Sequence, residues 1–210
     1  MQFLSKMILN RAKCAVLILA GGQSSRMKYP KPWLRTKADS TFLLEIIKSY
    51  IAIGMNDITV VLNNAFVGAK WLEEYLEISK LSKVVLNRDT DLGRLHSIKM
   101  GLLTNQNKSV FIHNVDSPFV KSTTLLKLYK NRNLNGTSIP SFKGKGGHPI
   151  LISNEVVKAI LLHENNDSTL RELISGFPRK QIEVEDSAVL ININTPQDLD
   201  ECNRIYESVG

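Results

Sequence analysis

The sequence predicts a single α/β domain, a mostly parallel sheet sandwiched by helices. Three observations predict it. Short β-rich runs alternate along the 210 residues with helical patterns, the order expected of a parallel sheet with crossover helices. Most of those runs are continuously apolar, which suits strands covered on both faces. No internal repeat, low-complexity tract or Pro/Gly/Ser-rich linker divides the chain.

The predicted strands are Ala15–Leu19, Ile58–Leu62, Lys83–Leu86, Val110–His113, Thr137–Ile139, Pro149–Ile152, Gln181–Val184 and Val189–Ile193. Between them, Phe42, Leu43, Ile46, Ile47, Tyr50 and Ile51 share one helical face, with Gly54 as the stop. Trp71, Leu72, Tyr75 and Leu76 repeat that spacing, as do Val156, Val157, Ile160 and Leu161. Near the end, Thr195-Pro196-Gln197-Asp198 reads as an N-cap, a proline at the first helical position and an acid in the first turn.

Composition narrows the classes. A chain 43% hydrophobic and 22% charged is neither disordered, collagen-like nor coiled coil. Two cysteines, Cys14 and Cys202, cannot build a disulfide framework or a CxxC zinc site, and this fits the reducing cytoplasm. Lys6, Arg11 and Lys13 before the apolar run Cys14–Ala20 imitate a short signal peptide, but the run is short and no A-x-A site follows. The reading is an extension over residues 1–13 and a domain over 14–210, with no membrane span in view. The 27 Lys+Arg against 20 Asp+Glu give a net charge of +7. Arg26, Lys28, Lys31, Arg35 and Lys37 cluster without an acid among them, which points to a phosphate-bearing ligand. Tyr29 and Trp33 interleave that cluster, yet no RRM, KH or zinc-finger signature accompanies it, so no specific nucleic-acid partner is expected.

The first predicted strand runs into Leu19-Ala20-Gly21-Gly22-Gln23-Ser24-Ser25-Arg26-Met27, then Lys28-Tyr29-Pro30-Lys31-Pro32. Ligands of open α/β sheets bind outside the carboxyl ends of strands. Adjacent glycines let a backbone approach a phosphate closely and aim N–H groups at it. Neither GxxxxGK[ST] nor GxGxxG is present, so this is neither a Walker loop nor a dinucleotide fingerprint.

Leu19 to Lys31 resembles the LAGGxSxRMGxxK signature of nucleotidyltransferases with a Rossmann-like (GT-A type) core, in particular the MobA/MocA-like proteins that attach CMP or GMP to molybdopterin. Leu19, Ala20, Gly21, Gly22, Ser24, Arg26, Met27 and Lys31 fall in register, and Lys28 departs from the usual glycine. Three later segments resemble the same family in the expected order: His113-Asn114-Val115-Asp116-Ser117-Pro118, Lys145-Gly146-Gly147-His148-Pro149, and Asn192-Ile193-Asn194-Thr195-Pro196-Gln197-Asp198-Leu199. Gly93-Arg94-Leu95-His96-Ser97-Ile98 fits the middle of the fold. The resemblance spans residues 14–205.

The resemblance implies an Mg²⁺-dependent enzyme that moves an NMP from CTP or GTP to a phosphorylated acceptor similar to molybdopterin, releasing pyrophosphate. Positioning and charge neutralisation carry such a transfer. By resemblance, Leu19, Ala20, Gly21, Gly22, Ser24, Arg26 and Lys31 hold the triphosphate, and Arg26, Lys31 and Asp116 are catalytic. Asp116 would hold Mg²⁺, with Asn194 as a second ligand or, alternatively, a structural residue before the last helix. Where the cytidylyl type often reads Asp-Ile-Asp, this chain reads Asn192-Ile193-Asn194, and an amide oxygen coordinates without bringing charge. Asn63 and Asn87, at the ends of two predicted strands, resemble base- or ribose-contacting residues and equally suit plain turn chemistry. His148 reads as an acceptor contact or as a hairpin residue, while His96, His113 and His163 receive no role. Alternatives are a sugar- or polyol-phosphate nucleotidyltransferase and a nucleotide-binding module with a decayed metal site. The oligomeric state is left open.

Overall fold

The computed structural model describes residues 13–23, 27, 29–36, 39–165 and 167–207. The predicted extension over 1–13 thus lies outside the described residues except for Lys13, as do Ser24, Arg26 and Lys28. Among the described residues eight strands form one sheet. Strands β1 (Cys14–Ala20), β2 (Ile58–Asn63), β3 (Lys83–Asn87) and β4 (Ser109–Asn114) run parallel in the order β3-β2-β1-β4. Next to β4 lies a short antiparallel strand, β7 (Ile150–Ile152), then β5 (Thr137–Phe142). A two-residue strand, β6 (Lys145–Gly146), folds back on the end of β5, and β8 (Arg179–Glu183) pairs with β5 in parallel.

Successive side chains of a strand point to opposite faces, so a strand apolar at every position must be covered twice. All seven residues of β1 are buried and they divide by parity. Cys14, Val16, Ile18 and Ala20 enter one core; Ala15, Leu17 and Leu19 enter the other. Helices α1 (Phe42–Ile51), α2 (Leu72–Leu81) and α4 (Ser122–Lys130) supply the first core with Phe42, Ile46, Tyr50, Ile78, Leu125 and Leu128. Helices α3 (Gly93–Leu102) and α5 (Asn154–Leu162) supply the second with Leu95, Ile98, Leu102, Val156 and Ile160. The short α6 (Leu170–Ser175) flanks that second core, and α7 (Pro196–Glu207) closes the chain.

The helix boundaries follow local chemistry. Thr41 and Ser153 accept the backbone N–H groups of Leu44 and Val156 as N-caps of α1 and α5. A capping box between Thr169 and Glu172 starts α6. Gly54, after α1, takes a φ of 76° as the predicted stop requires. At α7 the Asp198 carboxylate accepts the N–H groups of Asn194 and Thr195, and the Thr195 hydroxyl accepts the Asp198 N–H. Those two backbone donors hold the Asp198 carboxyl below its ordinary pKa.

One predicted strand is corrected. Val189–Ile193 does not join the sheet: Ser187–Leu190 form a 3₁₀ turn and the chain then runs extended without a ladder. The buried Asp186 caps that turn by accepting the Ala188 N–H, and its other oxygen accepts from the Lys121 N–H and the Thr124 hydroxyl. The Ile193 N–H goes instead to the Asp116 carbonyl, which carries this segment to the end of β4.

Candidate functional site

The chain leaves β1 for β2 and β3 on one side and returns to β4 on the other. A crevice therefore opens between the carboxyl ends of β1 and β4, the usual place for a ligand in an open α/β sheet. The Leu19 carbonyl accepts the Val115 N–H across this crevice, joining the loops that follow the two strands. A cavity of about 410 Å³ fills it, floored by Leu19–Gly22 and walled by Lys31, Arg94, Asp116 and Asn194. A Cβ on Gly21 would stand 3.3 Å from Ser97 Oγ and 3.6 Å from Asn87 Nδ2, so any larger residue would press on that floor. Gln23 Nε2 bonds Asp91 Oδ1 at 3.1 Å and ties the glycine loop to the segment after β3.

Three of the predicted residues converge. Lys31 Nζ donates to Asn194 Oδ1 at 2.8 Å and lies 3.7 Å from Asp116 Oδ2. The Ile193–Asp116 backbone bond and a 3.0 Å bond from Ser117 Oγ to Asn192 Oδ1 hold the two loops together. Asn192 thus spends its amide oxygen on Ser117, whereas Asn194 faces the cavity. Among the described residues no group of three or more His, Cys, Asp or Glu could cage a metal. A carboxylate and an amide oxygen that already converge on an ammonium do fit a hard cation that is also held by substrate phosphates and water.

The support beneath Asp116 was not legible in advance. His113, on β4, is fully buried; its Nε2 lies 2.9 Å from the Ser117 carbonyl and its Nδ1 3.0 Å from the Tyr50 hydroxyl. A carbonyl only accepts, so Nε2 carries the proton and Nδ1 accepts from Tyr50. Burial pushes the His113 pKa down to about 4, which keeps the ring neutral in that role. The ring ties α1 to the turn that presents Asp116. No motif marks a buried, neutral histidine of this kind.

A second, larger cavity of about 1080 Å³ adjoins the first, and Gly93 and Arg94 line both. Leu95, Ile139, Ile150, Leu170, Ile174 and Phe177 give it apolar walls, with His148 and Arg179 among its polar groups. His148 is set by its backbone: its N–H donates to the Val189 carbonyl, and a Cβ on the preceding Gly147 would meet that oxygen at 2.2 Å. Burial, and then the neighbouring Arg94, lower the His148 pKa against the pull of Asp116. Arg94 Nη2 donates to Asn114 Oδ1 at 2.9 Å.

Of the residues expected at the nucleotide, Leu19, Ala20, Gly21, Gly22 and Lys31 line the first cavity, while Ser24 and Arg26 lie outside the described residues. Asn63 and Asn87 are buried and line neither cavity. Asn63 Oδ1 accepts the Ala65 N–H; Asn87 accepts from Asp89 and donates to Ser97 Oγ. Both amides therefore serve local turns, and Asn87 touches the site only as a support below Gly21. Sequence reasoning gave no role to Arg94, Asn114 or Ser97.

A strand-switch crevice with a glycine floor, a lysine and a carboxylate beside phosphate-sized space defines a nucleotide-handling α/β enzyme. Residues 16–184 match the MobA-like NTP transferase domain, and the chain belongs to that family of nucleotidyltransferases. It is 26% identical over 196 residues to the molybdenum cofactor cytidylyltransferase of Escherichia coli K12, covering 92% of this chain and 97% of that protein. Its fold resembles a nucleotidyl transferase from Methanothermobacter thermautotroptrophicus, with a TM-score of 0.77 at 20% identity over 94% of this chain and 99% of that one. It also resembles the molybdopterin-guanine dinucleotide biosynthesis protein A of Archaeoglobus fulgidus, with a TM-score of 0.67 at 18% identity over 92% and 98% of the two chains. The expected family and the helix-sandwiched, mostly parallel fold are both borne out.

Proposed function

We propose that the protein is an Mg²⁺-dependent transferase of CMP or GMP onto a molybdopterin-like phosphate. The carrying observation is the pair of adjoining cavities, one of triphosphate size at the strand ends and a larger one beyond it that mixes apolar walls with polar and cationic groups. The acceptor's phosphate oxygen attacks the α-phosphorus of the NTP. The new O–P bond forms as the bond from the α-phosphorus to the bridging oxygen breaks, and pyrophosphate leaves with that electron pair. No covalent enzyme intermediate and no proton transfer is needed.

In this reading the loop 19–26 and Lys31 bind the triphosphate, while Asp116 and Asn194 would hold the metal. The ion would neutralise phosphate charge at the α-phosphorus. Lys31 keeps the two oxygen donors together and gives its charge to the phosphates when the NTP enters. His148 faces the acceptor. A cavity of about 1080 Å³ has room for a bulky acceptor such as a molybdopterin-like phosphate. Residues 14–210 act as one domain with 1–13 as an extension. The free, buried Cys14 and Cys202 fit a cytoplasmic setting. No helix among the described residues is long and apolar enough to cross a membrane.

A second reading, a nucleotide-binding module without turnover, draws on the neutral amide at Asn194 and on Lys31 standing between the metal donors. One experiment separates the two: melting of the purified protein with each of the four NTPs, with and without Mg²⁺, followed by pyrophosphate release on adding molybdopterin. A ligand at 100 times its Kd adds about 2.7 kcal/mol, a shift of several degrees. CTP or GTP with Mg²⁺ is expected to give it, and turnover to follow. Stabilisation without pyrophosphate leaves the binding module standing; a shift confined to ATP or UTP moves the sugar-phosphate acceptor ahead.

A further inference from the structure

We propose that Arg94 is a catalytic residue that grips the acceptor's phosphate at the junction of the two cavities and holds it against the nucleotide's α-phosphorus. This rests on the two-cavity reading above and goes beyond it by naming the group that joins them.

Among the described residues Arg94 is the one charged residue lining both cavities. Among the described residues its guanidinium makes a single hydrogen bond, from Nη2 to Asn114 Oδ1 at 2.9 Å. A guanidinium carries five donors in a fixed fork, so the remaining ones are available to a ligand in either cavity. The tether also fixes its direction. Asn114 ends β4 and stands two residues before Asp116, so one strand end aims the guanidinium and presents the carboxylate. His148 lines the second cavity, where burial and then the Arg94 charge lower its pKa and favour the neutral ring. Arg94 then supplies the full positive charge at the point where the two cavities meet.

The transfer requires such a charge. A phosphate dianion must approach a polyphosphate of like sign, and the cost falls when a cation bridges the approaching oxygens. The fork of an arginine suits two oxygens of one phosphate group. Lys31 is engaged on the other side of the first cavity by Asn194 and Asp116, and Arg171 and Arg179 line the second cavity alone, so among the described residues Arg94 is the cation that faces both. A purely structural Arg94, serving only to tether Asn114, would face neither substrate.

The test uses phenyl phosphate, a phosphomonoester on a small apolar body, as the probe. Titration calorimetry is run with the first cavity filled by the α,β-methylene analogue of whichever NTP stabilises the protein. The wild type is expected to bind the probe. Arg94→Gln is expected to weaken that binding at least tenfold while nucleotide affinity stays within threefold, and Arg94→Lys to fall between. Asn114→Ala, which releases the guanidinium without removing it, is expected to produce a partial loss. Melting curves identify any variant that fails to fold, and the Lys and Asn114 variants then carry the comparison. The proposal is overturned if the wild type does not bind the probe, if Arg94→Gln binds it as tightly, or if the loss falls on the nucleotide. Failure of the wild type to bind any NTP overturns the two-cavity reading together with it; NTP binding without Arg94-dependent probe binding overturns the proposal alone.

Discussion

The two halves of the sheet are built to different standards. On the β2–β1 side every residue of both strands is buried, and the loop after β1 meets the end of β4 to form a small cavity whose floor is backbone and whose walls include a lysine and a carboxylate. On the β5–β8 side only Ile182 of β8 is buried, and the larger cavity is walled by side chains from strands and the six-residue α6. A site made of backbone at the ends of fully buried strands has little freedom to vary. A site made of side chains on a thin edge can be reshaped residue by residue.

Substitutions can break the comparison, and the largest expected effect is at the seam. On the proposed reading Asp116→Ala removes the carboxylate beside Lys31 that would hold the metal, so turnover should fall by about a thousandfold or more. The fold should survive. The tie to the C-terminal segment runs through the Asp116 backbone carbonyl, which alanine retains, and the side chain stands at a cavity wall. Pyrophosphate release by the variant at wild-type rate would remove Asp116 from the mechanism.

The next effect should be confined to one half. On the proposed reading Lys31→Ala deletes a charge-assisted donor from the first cavity, a loss of about 1.5–3 kcal/mol, or roughly 10- to 150-fold in NTP affinity. Phenyl phosphate binding in the second cavity should be nearly unchanged. Calorimetry on both ligands checks this, and equal losses would mean that the two cavities are not separate subsites.

The same division explains what could be read from the sequence. The parallel core was visible because continuous apolar runs such as Ala15–Leu19 and Ile58–Leu62 carry their own pattern. The glycine loop stood out as two adjacent glycines after an apolar strand, whereas Lys31 and Asp116 were expected only through the resemblance to the nucleotidyltransferase signature; the fold brings all of them to one cavity. Val189–Ile193 misled because an apolar run fits a buried turn as well as a strand. What decided it was Asp186, distant in sequence from the helix start at Lys121 that it also caps. Arg94 lay in the Gly93–Ile98 segment that fits the family yet received no role, since an arginine early in a helix is ordinary until a second cavity is found behind it. Asn63 and Asn87 showed the reverse: placed at strand ends where ligands gather, their amides turn inward to neighbouring backbone and Ser97.

The smallest effect sharpens the comparison through pH. His113 holds the turn on the nucleotide side only while it is neutral, and burial has pushed its pKa from 6.5 to about 4. The unfolded chain takes up a proton at this position near pH 6.5, whereas the folded chain resists until about pH 4. Stability contributed by the neutral ring is therefore complete above pH 6.5 and is lost progressively as pH falls through that window, by roughly 3 kcal/mol in all. His113→Gln keeps an N–H for the Ser117 carbonyl but has nothing to titrate. At pH 7 it should melt below the wild type, because it fills the site less well and gives up the Tyr50 contact. Its melting temperature should then fall less steeply than the wild type's between pH 6.5 and 4, so that the two profiles converge. Parallel profiles would show that His113 does not titrate low, and that the turn bearing Asp116 is held by its neighbours alone.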